Sequence, residues 1–268
     1  MTLSRRAKTL LMVAVVGCLA LIYIPLMVVV VNSFNADSTF AWPPHGWTLQ
    51  WWQAAAHNGG ALHAIGVSIR AGLLATGVAL VLGSLAAFAL QRFDFFGRDA
   101  VSLLVILPIA LPGIVTGIAL SNAFETMLGL DLGFPTLVIA HATFCIVVVF
   151  NNVMARLRRL GGTFELASMD MGATRWTTFR LVTFPMLRSA LLAGALLAFA
   201  LSFDEIIVTT FTAGATTETL PIWIFENLFR PNQAPVVNVV GAALIVFSIV
   251  PIYLSQRLSG ESAGGGRL

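Results

Sequence analysis

Six stretches of this chain, at about residues 9–31, 71–90, 100–122, 136–155, 189–211 and 237–256, consist almost entirely of apolar side chains, and only the fifth contains a charge. Each is close to the length of a helix that crosses a bilayer, roughly 20 residues for about 30 Å of hydrocarbon. Such runs admit few solutions, because lipid offers the backbone no hydrogen-bond partner and a helix satisfies its amides internally. The sequence therefore predicts an all-α membrane protein with six transmembrane helices in a single domain over residues 1–268. Composition agrees: 58% of the residues are hydrophobic and 10% charged, against roughly 25% charged in a soluble domain. A soluble enzyme is excluded.

The few charges are distributed to one side. With the amino terminus in the cytoplasm, the inside segments carry Arg5, Arg6, Lys8, Arg92, Arg98, Arg156, Arg158, Arg159, Arg175, Arg180, Arg188, Arg257 and Arg267, and only Arg70 and Arg230 fall outside. The opposite orientation would translocate nearly every cation, so both termini are expected in the cytoplasm of a cell with an inner membrane. The net charge of +3 is spread too thinly for a groove that tracks phosphates, which argues against nucleic acid as a partner. The basic start, Ser4-Arg5-Arg6-Ala7-Lys8, imitates a signal peptide, but its apolar run exceeds the usual h-region of about 7–15 residues and no small-residue cleavage site follows. It reads as an uncleaved first span. Cys18 and Cys145 both lie in apolar runs and offer neither a disulfide framework nor a zinc site.

The first outside segment, 33–70, is expected in the periplasm and holds Trp42, Trp47, Trp51 and Trp52, with a short interfacial helix predicted over about 48–56. The indoles suit an aromatic belt at the membrane surface or a docking face for an external partner. His45, His57 and His63 match no metal-ligand spacing. In the third run, Leu107-Pro108 through Pro112-Gly113 predicts a kink, since each proline removes a backbone donor.

The inside segment 156–188 is the longest polar stretch facing the cytoplasm. Thr163 is placed to cap a helix with Glu165 in its first turn. Gly172 can end that helix in a left-handed conformation, and a second helix is predicted from about Thr174 to Val182, before Pro185. Met169, Met171, Trp176 and Phe179 on such a knob suit a partner's groove, or packing on its own membrane domain.

This loop resembles the cytoplasmic coupling motif of binding-protein-dependent ABC importer permeases, which reads Glu-Ala-Ala, three residues, Gly, nine residues, Ile, one residue, Leu-Pro. Aligned on Gly172, the chain has Leu166-Ala167-Ser168 before it and Val182 and Phe184-Pro185 after it, with the spacing to Pro185 matching. Leu166 stands where the family has Glu, and Glu165 precedes it by one place. Within the family the chain is similar to permeases of the spermidine/putrescine type, to the second of their two membrane subunits, through Trp47-Thr48-Leu49-Gln50-Trp51-Trp52, Ser202-Phe203-Asp204-Glu205-Ile206 and Thr219-Leu220-Pro221-Ile222-Trp223-Ile224. The resemblance implies the type I ABC importer permease fold and ATPase coupling through Glu165, Leu166, Ala167, Ser168, Asp170, Gly172, Ala173 and Pro185. It also implies a homologous second permease, two cytoplasmic ATPases that bind the ATP and magnesium, and a periplasmic substrate-binding protein. Opines and other amino-acid-like amines are the alternative cargo.

A phosphate-binding Gly-x-x-x-x-Gly-Lys-Ser/Thr loop needs a lysine, and the only lysine is Lys8 at the membrane entry. Energy must therefore come from a partner or from an ion gradient, and the coupling-loop spacing favours the partner. No catalytic triad, paired catalytic carboxylates, metal site or cofactor fingerprint can be placed. Asp204 and Glu205, inside the fifth run, are the candidates for the substrate path; alternatively they cap a helix break or pair with a cation. On a continuous helix they would diverge by about 100°. His141 reads as a hydrogen-bonded packing residue.

Overall fold

The computed structural model describes residues 4–38, 42–230 and 232–263; Arg267, counted above among the inside cations, lies outside them. Among the described residues there is no strand, only an isolated bridge between Asn35 and Trp47. The chain divides into two units, one made of the residues up to Leu62 together with those from Ile224 onward, the other of His63–Trp223.

In the first unit, α1 (Arg5–Asn32) covers the first apolar run and has no buried residue, as befits a helix whose sides face hydrocarbon. The segment 33–70 forms α2 (Gln50–Ala56), held by Trp51, whose Nε1 donates to the Asn35 carbonyl at 2.9 Å, and by Trp52 stacked on Phe34 at 5.3 Å. Trp42 and Trp47 stay exposed. The last helix of the chain, running over Ala234–Ala263, packs on α1 and α2, and at Gly241 an added Cβ would lie 3.3 Å from Val29.

The second unit is organised around one buried helix. Helix α3 (Gly59–Arg92) leads into it, and at 34 residues it is about 51 Å long, more than a bilayer core requires. Next come α4 (Arg98–Ala110) and α5 (Gly113–Asn122), the latter continued by a π-helical turn over Ala123–Met127. Helix α6 (Phe134–Leu160) is the centre, with Leu137, Ala140, His141, Cys145, Val149, Val153 and Leu157 all buried. Lipid is as apolar as leucine, so close approach of small residues rather than expulsion of water brings such helices together. Accordingly α3 buries Ala71, Ala75, Ala79 and Ala87, and a Cβ on its Gly83 would come within 2.8 Å of the Ile146 carbonyl of α6.

The third apolar run is two helices that meet at 107°. Proline disfavours helical geometry in the residue before it, and Leu111, preceding Pro112, is extended with ψ 146°. Pro108 is accommodated inside α4.

The polar segment 156–188 contains α7 (Thr163–Asp170) and α8 (Arg175–Thr178). Two expectations are corrected here. Thr163 does not cap α7; the cap position is Gly162 and no side chain bonds there. Nor does a separate second helix stop before Pro185. Thr174 caps α8 by accepting from the Thr177 amide, and the helix continues through a π turn, Phe179–Thr183, into α9 (Phe184–Phe203). Pro185 falls in the first turn of α9, where a missing amide is tolerated, and the wider turn before it interrupts the α-helical ladder a proline cannot join.

The fifth run is also corrected: α9 ends at Phe203, residues 204–206 are non-helical, and α10 (Ile207–Thr212) begins afresh. Asp204 and Glu205 therefore do not lie on a continuous helix. Helix α11 (Leu220–Asn227) follows, and the helix over Ala234–Ala263 is α12.

Candidate functional site

Two places concentrate the residues singled out by sequence. The first is the loop over residues 156–188. Glu165 turns inward from α7 and accepts from Arg92 Nη2 at 3.0 Å and from the Thr183 hydroxyl at 2.9 Å, while the same Arg92 nitrogen donates to the Gly161 carbonyl at 2.8 Å. One carboxylate thus joins the end of α3, the start of α7 and the root of α9. Both partners are partly buried, at 22% and 21% side-chain exposure, so the pair is less screened than a surface ion pair. Ser168, on the same inner side, shares a 3.1 Å hydrogen bond with Thr178 of α8.

Gly172 closes α7. Its φ of +87° is left-handed, its amide donates to Met169, and the next amide, Ala173, donates to Ser168, the pair of bonds that defines a Schellman end. The outer face is apolar: Phe164, Leu166, Met171 and Trp176 are 58%, 60%, 84% and 69% exposed. Ala167, Asp170 and Pro185 are exposed too, Ala173 half-buried. Phe179 differs from the expectation of exposure, being half-buried against Phe88, Trp176 and Phe184. Leu166, at the family's acidic position, thus faces out, and the acid one place earlier faces in.

The second place is the break between α9 and α10. Asp204 ends α9 and is exposed; Glu205 is half-buried, and its carboxylate accepts from the Val208 amide at 2.8 Å, covering an orphan donor at the start of α10. Among the described residues no lysine or arginine pairs with either acid. Helix α10 lies against α5, the second half of the bent pair, so tightly that a Cβ on Gly117 would meet Phe211 at 2.7 Å. The two interrupted helices are therefore neighbours. Thr116 of α5 has a buried hydroxyl without a hydrogen-bond partner.

Three features escaped the sequence reading. Arg92, Arg98 and Arg156, read there as topogenic charges, each also donate to a backbone carbonyl near a helix end, at Gly161, Leu90 and Met186. His141 is the hydrogen-bonded packing residue expected, but its partners were not legible: its bonds tie α6 to both sides of the α9–α10 break. Gly214, with φ +66°, sits where a Cβ would come within 2.3 Å of the Leu132 carbonyl. Apart from the Arg98–Leu90 bond, which spans eight residues, each depends on a contact between residues 30 or more apart in the chain, which no local spacing displays.

Residues 79–260 match the family described as binding-protein-dependent transport system inner membrane component. The chain is 33% identical over 246 residues to the spermidine/putrescine transport system permease protein PotC of Escherichia coli (strain K12), covering 92% of each chain. It is 30% identical to the putrescine transport system permease protein PotI of the same strain, over 88% of this chain and 87% of the relative. With the putative 2-aminoethylphosphonate transport system permease protein PhnV of Salmonella paratyphi A it shares 29% identity over 92% and 91% of the two chains. The fold matches a chain from the crystal structure of a bacterial ABC transporter involved in the import of the acidic polysaccharide alginate, with a TM-score of 0.69, 18% identity and coverage of 97% and 99%. With the coupling-loop spacing and the apolar helices, these likenesses make the chain a member of the binding-protein-dependent inner membrane component family, the permease subunits of ABC importers.

Proposed function

We propose that this permease imports polyamines such as spermidine and putrescine, or related small cationic amines, using ATP hydrolysed by partner subunits. The observation that carries the cargo reading is the interrupted fifth helix, which leaves Asp204 exposed and Glu205 half-buried with no cation paired to either among the described residues. A carboxylate at such a break attracts a dication into a low-dielectric passage, and one or two acids without a closed cage let it leave again. The similarity to PotC and PotI supports the same cargo. The likeness to PhnV favours a second reading, an amine that also carries an anionic group.

In this reading six spans cross the inner membrane: α1, α3, the bent α4–α5 pair, α6, the continuous α8–α9 helix and α12. Both termini are in the cytoplasm, a reading supported by the even count and by the excess of cations in the segments assigned inside. Residues 33–70 face the periplasm and the binding protein, and the loop 156–188 faces the ATPases. Phe164, Leu166, Met171 and Trp176 enter the ATPase cleft, while Glu165 transmits its closure to α3 and α9. The complex holds a homologous second permease, two ATPases and a binding protein, and this chain has no catalytic site of its own.

Asp204→Asn keeps the size of the side chain and removes its charge. Uptake of labelled putrescine by the assembled complex should fall about tenfold or more, by the loss of one charge–charge attraction in a poorly screened site, while co-purification of the subunits persists. Equal uptake by variant and wild type contradicts the electrostatic role.

A further inference from the structure

His141 lies in the first third of α6, 1% exposed, with both ring nitrogens engaged. Nδ1 is 2.8 Å from the hydroxyl of Ser202, in the last turn of α9, and Nε2 is 2.9 Å from the hydroxyl of Thr209, in the first turn of α10. The direction of these bonds follows from proton counting. Thr209 has one hydroxyl proton and gives it to the Glu205 carbonyl at 2.7 Å, so toward His141 its oxygen can only accept. Nε2 therefore carries the imidazole proton, and a neutral ring then takes the Ser202 proton on Nδ1. No net charge has to enter the apolar interior for every member to be satisfied.

The relay runs Ser202, His141, Thr209, Glu205 carbonyl, and it spans the non-helical residues 204–206 from one side to the other. Below it, on the same face of α6 and four residues on, Cys145 Sγ approaches the Ala198 carbonyl at 3.3 Å and anchors α9 a turn earlier. Glu205 is thereby fixed at two points, its carbonyl by Thr209 and its carboxylate by the Val208 amide. Among the described residues Asp204 is held only through its own amide, bonded to Ala200 at 3.2 Å, and its side chain is left exposed. Broken helices in lipid require that the freed backbone groups find partners; here the Glu205 carboxylate and the Thr209 hydroxyl serve two of them, and the imidazole on the neighbouring helix holds the Thr209 hydroxyl.

We infer that His141 is the positioning residue of the substrate path: its neutral ring, accepting from Ser202 and donating to Thr209, sets the geometry at which the break presents Asp204 and Glu205 to a cationic amine. The inference rests on the reading of those two acids as the path. It acts through the break and not by touching cargo or relaying protons.

The test compares His141→Phe, which keeps a planar ring and loses both bonds, with His141→Gln, whose amide can both accept and donate across a similar span. Both are made in the complete complex reconstituted into liposomes, with co-purification as the check on assembly. Amide hydrogen exchange over residues 203–210 should rise at least several-fold in His141→Phe and return close to wild type in His141→Gln. KM for putrescine uptake should rise about threefold to tenfold in the Phe variant with a smaller change in kcat, the size expected for interhelical hydrogen bonds in a membrane, and Gln should restore it. Thr209→Val, which removes the middle of the relay without changing shape, should reproduce the Phe effects and add little to them in the double variant. Unchanged exchange in His141→Phe and Thr209→Val overturns the inference, as does raised exchange with unaltered KM, or a Gln variant that behaves as Phe. If His141→Phe fails to assemble, Thr209→Val decides by the same readouts. Normal uptake by Asp204→Asn and Glu205→Gln together is a separate result: it removes the reading of the acids, and with it the role of His141 in positioning them, even where exchange shows that the relay holds the break.

Discussion

Arg92 and Glu165 are partly buried, and each satisfies the other while also engaging a third element, through the Gly161 carbonyl and the Thr183 hydroxyl. Removing one member leaves the other charge without its partner, at about 1–3 kcal/mol. Glu165→Ala should therefore loosen the loop, and the expected outcome is an assembled complex whose ATPase is no longer stimulated by loaded binding protein; Glu165→Gln, which keeps the Thr183 bond, should fall between it and wild type. A stimulation ratio in Glu165→Ala equal to wild type counts against transmission through this carboxylate. Gly214 tests packing instead. An alanine there combines a left-handed backbone with a Cβ pressed on the Leu132 carbonyl, a cost of about 2–4 kcal/mol, so Gly214→Ala should lower the thermal midpoint of the detergent-solubilised protein by several degrees. Gly129, at φ +62° with open space around it, should tolerate alanine at about 1 kcal/mol. Of these residues only Glu165 was legible as a candidate in the sequence. The arginines were legible as charges but not as hydrogen-bond donors to helix ends, because topology shows in one dimension and their partners lie up to 69 residues away.

Helix ends divide into those that local chemistry writes and those that tertiary contacts write. Pro112 dictates an extended Leu111, and the kink expected from the sequence is a bend of 107°. Gly172 shows the same legibility: a glycine after an amphipathic turn, and a left-handed helix end in the structure. The end of α9 does not, since Phe203-Asp204-Glu205-Ile206 contains neither proline nor glycine and reads as helix. What stops the helix there is the new start at α10, secured by Glu205 on the Val208 amide and by His141 from another helix. The continuity of α8 with α9 was equally hidden, because Pro185 suggests a stop and only a π turn reconciles it with a through-going helix. That continuity gives a direct rod from the α7–α8 knob to the break that carries the acids. Its behaviour is testable at the knob: Gly172→Val, with a β-branched side chain in a left-handed turn, should cost about 2 kcal/mol and uncouple ATP hydrolysis from uptake, whereas Gly172→Asn should be nearly silent. Comparing ATP hydrolysed per amine imported in the two variants checks it, and coupling preserved in the valine variant contradicts the proposed role of the turn.

For the molecule as a whole, hydropathy shows the class of protein directly, and the apolar helices α1, α3, α6 and α8–α9 are each long enough to cross a membrane. The orientation rests on the cations, and single cysteines make it measurable: in a background lacking Cys18 and Cys145, a cysteine at Arg175 should react with an impermeant maleimide only from the cytoplasm, and one at Trp47 only from the periplasm. ATP-driven polyamine import is tested most directly by reconstituting this chain with its permease, ATPase and binding-protein partners into liposomes and measuring uptake of labelled putrescine and spermidine. The expected uptake needs ATP and the binding protein, survives collapse of the ion gradients, and is competed by unlabelled polyamines more strongly than by opines or 2-aminoethylphosphonate. Uptake that persists without ATP and follows an imposed ion gradient, or a complex that hydrolyses ATP and carries the zwitterionic amines but neither polyamine, would contradict it.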